Sequence, residues 1–183
     1  MATNTRIDRA LAELASLRDS LRGAGNRERA GLFSCRGCVA WCCREGFNAM
    51  RATSLEAEAI LRALEGAGEL EAGLARAAEA VERWRLDADP GTRRTYTCPF
   101  LTAGNLCGVH GAKPLGCVTF TPVRDGGCDQ DAARLADSVE HAAALNDRAY
   151  GSGRWEDLPL PLAVVEAAGR YRFLPRVTKQ SRQ

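Results

Sequence analysis

A chain of 183 residues with 25 Lys and Arg against 23 Asp and Glu is long enough to bury its own core, and one domain that needs no disulfides is expected. The net charge of +2 is too small to argue for nucleic acid or a membrane surface, and neither is expected as a partner. No apolar run approaches a membrane span, and the polar start Met1-Ala2-Thr3-Asn4-Thr5-Arg6-Ile7-Asp8 does not read as a signal peptide, so a reducing, cytoplasmic setting is expected.

The chain opens with an amphipathic pattern. Ile7, Leu11, Leu14, Leu17 and Leu21 recur at helical steps, Thr5 is the expected cap, and Gly23 and Gly25 are the expected stop. This apolar stripe needs a partner surface, which its own domain supplies most simply. Thr53-Ser54-Leu55-Glu56 reads as a capping box opening a second helix through Ile60, Leu61 and Leu64, closed by Gly66 and Gly68. A third carries Leu70, Leu74, Ala77, Val81 and Trp84 on one face, until Asp87-Ala88-Asp89-Pro90-Gly91 breaks it. From Thr92 to Gly127 periodicity is lost. A fourth helix is predicted from about Asp129 to Tyr150, with Asn146 polar among its apolar positions, and a short one over Leu162 to Ala168, after which the tail 179–183 is expected to fray. The prediction is a mainly α fold: a single small helical domain over 1–183 around an irregular, cysteine-ligated core. An N-terminal helix takes residues 1–25, the cysteine-bearing core 33–122, and a C-terminal helical region 129–183.

Chemistry has to come from the eight cysteines. Cys35-x2-Cys38-x3-Cys42-Cys43 puts four thiols into nine residues, and Cys98, Cys107, Cys117 and Cys128 follow. Packing does not explain this density, since buried free cysteines are normally scattered, and reduced thiols at close spacing bind soft or borderline metals. The x2 step lets two thiolates reach one metal or one cluster. Cys42 and Cys43 are adjacent, so their side chains are expected to diverge and to suit two irons, or two separate metals, better than one tetrahedral zinc. The Cys98-Pro99 step resembles one end of a bacterial ferredoxin run.

Together, the first cysteine run, the capped acidic helix after it, Cys98-Pro99-Phe100-Leu101 and the later Cys107 and Cys117 around Pro114 resemble the YkgJ-type cysteine-cluster family, described as zinc- or iron-chelating proteins. The similarity covers roughly residues 33–122. It implies metal ligation by Cys35, Cys38, Cys42, Cys43, Cys98, Cys107 and Cys117. His110, Lys113 and Val118 depart from the family's usual aromatic, arginine and basic residues, which leaves that ligand set intact. Flagellin lysine N-methylases contain a similar cluster, so side-chain methylation is a minor reading, though no G-x-G-x-x-G nucleotide loop is present.

A thiolate-ligated centre is anionic and requires nearby donors or cations. Arg36, Arg44, Arg51, Arg93, Arg94 and Lys113 lie near the cysteines in sequence; they compensate this charge or hold an anionic substrate or partner. His110 is a further candidate ligand, His141 reads as structural, Cys128 is an eighth ligand or a free thiol, and Trp41 is expected to shield the centre from water. Two functions follow. In the favoured one an iron–sulfur cluster, of the 4Fe-4S type, supports redox chemistry or the action of an accessory or modifying protein on a protein or peptide partner. In the alternative, zinc only cross-links loops and the helices form a docking module, which needs no catalysis because structural zinc contributes on the order of 10 kcal/mol to folding.

Overall fold

In the computed structural model, which describes residues 2–28, 39–122 and 128–171, the helix α2 (Ser54–Gly66) separates two apolar clusters. Its start is set by the capping box read from the sequence. Thr53 Oγ1 accepts from the Glu56 amide at 3.4 Å, and the Thr53 amide donates to Glu56 Oε2 at 2.8 Å, so amides that a helix start leaves orphaned are satisfied. Asn146 adds to this from a distant helix: its Oδ1 accepts from the Leu55 amide at 2.9 Å. The polar position in the fourth predicted helix is therefore a buried cap for the second.

On one side of α2, Ile60, Leu61 and Leu64 pack with α3 (Leu70–Trp84) and α6 (Leu160–Tyr171) around Tyr96, Phe100 and Val109. Gly73 permits the close approach of α3, since a Cβ there would lie 2.7 Å from Leu64 Cδ1. On the other side, Leu55 joins Ile7, Ala10 and Leu14 of α1 (Ala2–Glu28), Ala142, Leu145 and Ala149 of α5 (Ala132–Tyr150), and Leu115 of the single-turn α4 (Leu115–Val118). The stripe on α1 thus finds its partner within its own chain.

Helices dominate, as expected, but several boundaries move. The first helix starts at Ala2, before Thr5, and continues through Gly23 and Gly25 to Glu28. A mid-helix glycine costs only about 1 kcal/mol, and the second half of α1 is anchored by Arg18 and Arg22, which donate to the Lys113 and His110 carbonyls at 2.6 and 2.5 Å. Asp131, not a residue near 129, caps α5, its Oδ1 accepting from the Arg134 amide at 3.0 Å. Pro161 lies in the first turn of α6, where a missing N–H costs nothing. Two antiparallel pairs were not anticipated: β1 (Arg51–Thr53) with β4 (Asp157–Pro159), in register Ala52 to Leu158, and β2 (Phe120–Pro122) with β3 (Cys128–Gln130). Three-residue strands carry too few alternations to be read from a pattern. The tail 179–183 lies outside the described residues.

Glu56 is buried, and it does more than cap: its Oε1 accepts from the Leu115 amide at 2.7 Å. Replacing Glu56 by Ala strands the Thr53 and Leu115 amides, each at about 1–3 kcal/mol. Urea denaturation of the Glu56→Ala chain should therefore show a loss of about 3 kcal/mol; a loss under about 1 kcal/mol would mean that the carboxylate is not the junction.

Candidate metal centre

Four separate segments bring thiols together. Cys42 and Cys43 occupy a 3₁₀ turn, Trp41–Cys43, entered through Ala40 at φ 59°. The Cys98 amide donates to the Cys43 carbonyl at 2.8 Å, laying the second segment against the first. Residues 98–108 then fold back on themselves: Thr102 donates to the Leu106 carbonyl and Gly108 to the Phe100 carbonyl, both at 2.8 Å, so Cys107 pairs with Leu101. A Cβ at Gly108 would sit 3.2 Å from the Phe100 oxygen, which favours glycine here. Cys117 comes from α4, whose first amide is held by Glu56. The loop is fastened further by Arg44, which donates to the Val39 carbonyl at 2.8 Å and to Asn105 Oδ1 at 2.6 Å. Tyr96, buried two residues before Cys98, donates its hydroxyl to the Met50 carbonyl and accepts from the Leu160 amide.

Cys42, Cys43, Cys98, Cys107 and Cys117 are half-buried and outside any disulfide, and several of them act on one another electrostatically. A hydrogen bond with Cys42 pulls the Cys43 thiol down. The bond with Cys98, burial, and the Cys98 and Cys107 sulfurs outweigh it and push Cys43 up to about 12. Burial raises Cys107, with Cys42 adding to the effect while Lys113 and Arg22 oppose it. Although part of Cys117 reaches the surface, burial is the largest influence on its thiol and drives it well above the usual range; Cys107, Cys43 and Cys42 add to that and Lys113 opposes it.

The Cys42 and Cys43 sulfurs stand 4.0 Å apart, which corrects the expectation that they diverge. In a 3₁₀ turn, neighbours are swept only about a third of a revolution apart. Two sulfurs on one tetrahedral zinc, each about 2.3 Å from the ion, would stand about 3.8 Å apart. Among the described residues, no three His, Cys, Asp or Glu side chains converge on a point an ion could occupy. Cys35, Cys38 and Arg36 lie outside the described residues, and the Cys128 side chain is not among those described. The donor set suits a soft or borderline metal in its chemistry, and the two thiols before the 3₁₀ turn are the ones that would complete it.

The expected cations divide. Lys113 acts on both Cys107 and Cys117, whereas Arg51 is taken by Asp157 and the Pro90 carbonyl, and Arg94 acts on Asp89. Partial burial, with Lys113 and Arg22 nearby, lowers the pKa of the His110 ring. His141, exposed, contacts the Asp137 carbonyl of its own helix at 2.7 Å. Trp41 is 39% exposed and packs edge-on against the more outward Phe47, with centroids 4.8 Å apart.

Sequence reading missed Arg18. Only 3% exposed, it donates through Nε to Lys113, and one terminal nitrogen is buried with no partner among the described residues. Burial lowers its pKa, while Glu56 and, more weakly, Cys117 pull it up. The signal was present: Arg18 stands one helical step beyond Leu14, a cation on a stripe that buries apolar residues.

No family model, curated protein or solved structure matches the chain.

The raised thiols set a pH dependence for the metal-free chain. A pKa higher in the folded state means that stability is full below the ordinary thiol value of 9.0 and is lost as pH rises through about 12. The urea midpoint should fall steadily between about pH 9 and about pH 11. A midpoint constant or rising over that range would contradict the buried, mutually interacting thiols.

Proposed function

We propose that the chain is a metal-binding protein of the cysteine-cluster kind, whose Cys42, Cys43, Cys98, Cys107 and Cys117 thiols, completed by Cys35 and Cys38, hold an iron–sulfur centre. The observation that supports this reading is that five thiols from four segments lie near enough for Cys43 and Cys117 each to feel several of the others, one more thiol than a tetrahedral zinc accepts. When bound, such a centre supplies electron transfer to redox chemistry, or supports an accessory or modifying role toward a protein or peptide partner. The chain's own residues would limit water and balance charge: Cys98 and Cys107 pack against the apolar cluster that holds Tyr96, and Lys113 and, more weakly, Arg18 would offset the negative charge of ligated thiolates. The reading takes the protein as cytoplasmic, where thiols stay reduced; no helix of the described residues is long and apolar enough to cross a membrane.

One observation favours a second reading. The 4.0 Å between the Cys42 and Cys43 sulfurs matches an edge of a zinc–thiolate tetrahedron, as in a zinc-stabilised interaction module without catalysis. Anaerobic purification with metal and acid-labile sulfide analysis separates the two. Brown protein with iron and sulfide in near-equal amounts supports the first; colourless protein with one zinc per chain supports the second and overturns the iron–sulfur assignment.

Arg18 gives a test that does not depend on which metal is bound. Arg18→Gln should weaken metal retention about 10- to 100-fold in chelator competition, the usual scale for an outer-shell partner. Retention unchanged in the folded variant would remove Arg18 from the account.

A further inference from the structure

A cavity of about 450 Å³ opens between the segment 47–51, α4 and α5, within the range of small-molecule sites. Leu135, Ser138, Val139, Ala142 and Ala143 line it at helical steps, so one whole face of α5 is turned toward it. Met50, Leu115 and Phe120 complete an apolar interior opposite that face. Phe47 and Val139, also part of the lining, are 58% and 61% exposed, the two most outward large apolar side chains among the described residues; they form its lip.

The polar groups of the wall are taken up by the protein itself. Its charges balance, Arg51 and Arg93 against Glu56 and Asp157. Arg51 is held by Asp157 at 2.9 Å and by the Pro90 carbonyl at 2.8 Å, and the two Glu56 oxygens accept from the Thr53 and Leu115 amides. The Thr53 and Ser138 hydroxyls donate to Glu56 Oε2 and the Leu135 carbonyl, and the Trp155 N–H donates to Asp147. Asn48 Nδ2 is buried and presents no surface to a ligand, while the Arg93 side chain is exposed to solvent. A charged or strongly polar ligand would therefore give up hydration inside and gain no partner for it. Water fares little better, since it needs two to four polar partners of its own. A neutral apolar ligand loses nothing there and covers the lip. A protein surface is the poorer occupant, because a stable interface takes about 800 Å² from each partner and two outward side chains offer far less.

We propose that this cavity binds a neutral, apolar small molecule of about bicyclic size, seated between Met50, Phe120 and the α5 face and covered at the lip by Phe47 and Val139. The proposal stands whether or not the cysteines hold a metal. Ligand-detected NMR titration of the full chain with naphthalene, 2-naphthoate and 2-naphthylmethylammonium, each below its solubility limit, compares one shape in three charge states. Naphthalene should bind one per chain, at least about tenfold tighter than either ion, since both signs of charge meet the same desolvation cost. Ala143→Trp, which fills the cavity from α5, should abolish binding, and Val139→Asp, a change at an exposed position, should weaken it about fivefold or more; thermal unfolding of each variant confirms the fold. Four results would overturn the proposal: no naphthalene binding to the folded wild-type chain, either ion bound as tightly as naphthalene, binding unchanged in folded Val139→Asp, or a concentration-dependent dimer dissolved by Val139→Asp, which would give the lip to a second copy of the chain.

Discussion

The structure depends on one buried carboxylate. Glu56 closes the cap of α2 with one oxygen and holds the first amide of α4 with the other. A buried acidic side chain is stable only if its lone pairs are occupied, so its presence requires the Thr53 turn and the Leu115 turn to meet. Because α4 carries Cys117 and the segment before β1 carries Cys42 and Cys43, this junction also fixes which thiols face one another. Chemistry and fold are therefore joined at a hydrogen bond that is not itself part of the chemistry.

The thiol pocket is built with little regular structure. Its walls are a 3₁₀ turn, a folded-back loop and one turn of helix, tied by single backbone bonds such as Cys98 to Cys43 and Gly108 to Phe100. Irregular segments like these bury few apolar side chains of their own; the clusters around Tyr96 and Leu115 provide rigidity from below. A centre that links the four segments would add what the loops lack, and the burial that raises the thiols is the cost a metal offsets by ligating the thiolate form. The buried Arg18 keeps one nitrogen without a partner among the described residues; Glu56 is the main charge that favours its protonated form, with Cys117 a weaker one.

Much of this was legible in the residues. The capping box Thr53 to Glu56, the faces of α2 and α3 and the stripe on α1 all follow from helical spacing, because burial on one face leaves a period that sequence displays. The family resemblance named Cys42, Cys43, Cys98, Cys107 and Cys117 together; the structure places them near enough to influence one another's titration, though among the described residues no three converge on an ion position. What failed to show were terms decided by distant partners. Gly23 and Gly25 read as a stop because the carbonyls that anchor Arg18 and Arg22 are far along the chain, and Asn146 read as a defect because the amide it caps belongs to another helix. The geometry at Cys42 and Cys43 was misread because adjacency alone was taken to make the side chains diverge, whereas the 3₁₀ turn there brings the sulfurs to 4.0 Å.

The central claim is that thiols from separate segments are held by one shared inorganic centre. Differential alkylation, with protein prepared without oxygen and treated with iodoacetamide before and after metal removal, reads this residue by residue in a mass spectrometer. The account predicts that Cys42, Cys43, Cys98, Cys107 and Cys117 are protected together and become reactive together once metal is withdrawn. Independent labelling of these cysteines in the freshly prepared protein, at rates that metal removal does not change, would contradict it.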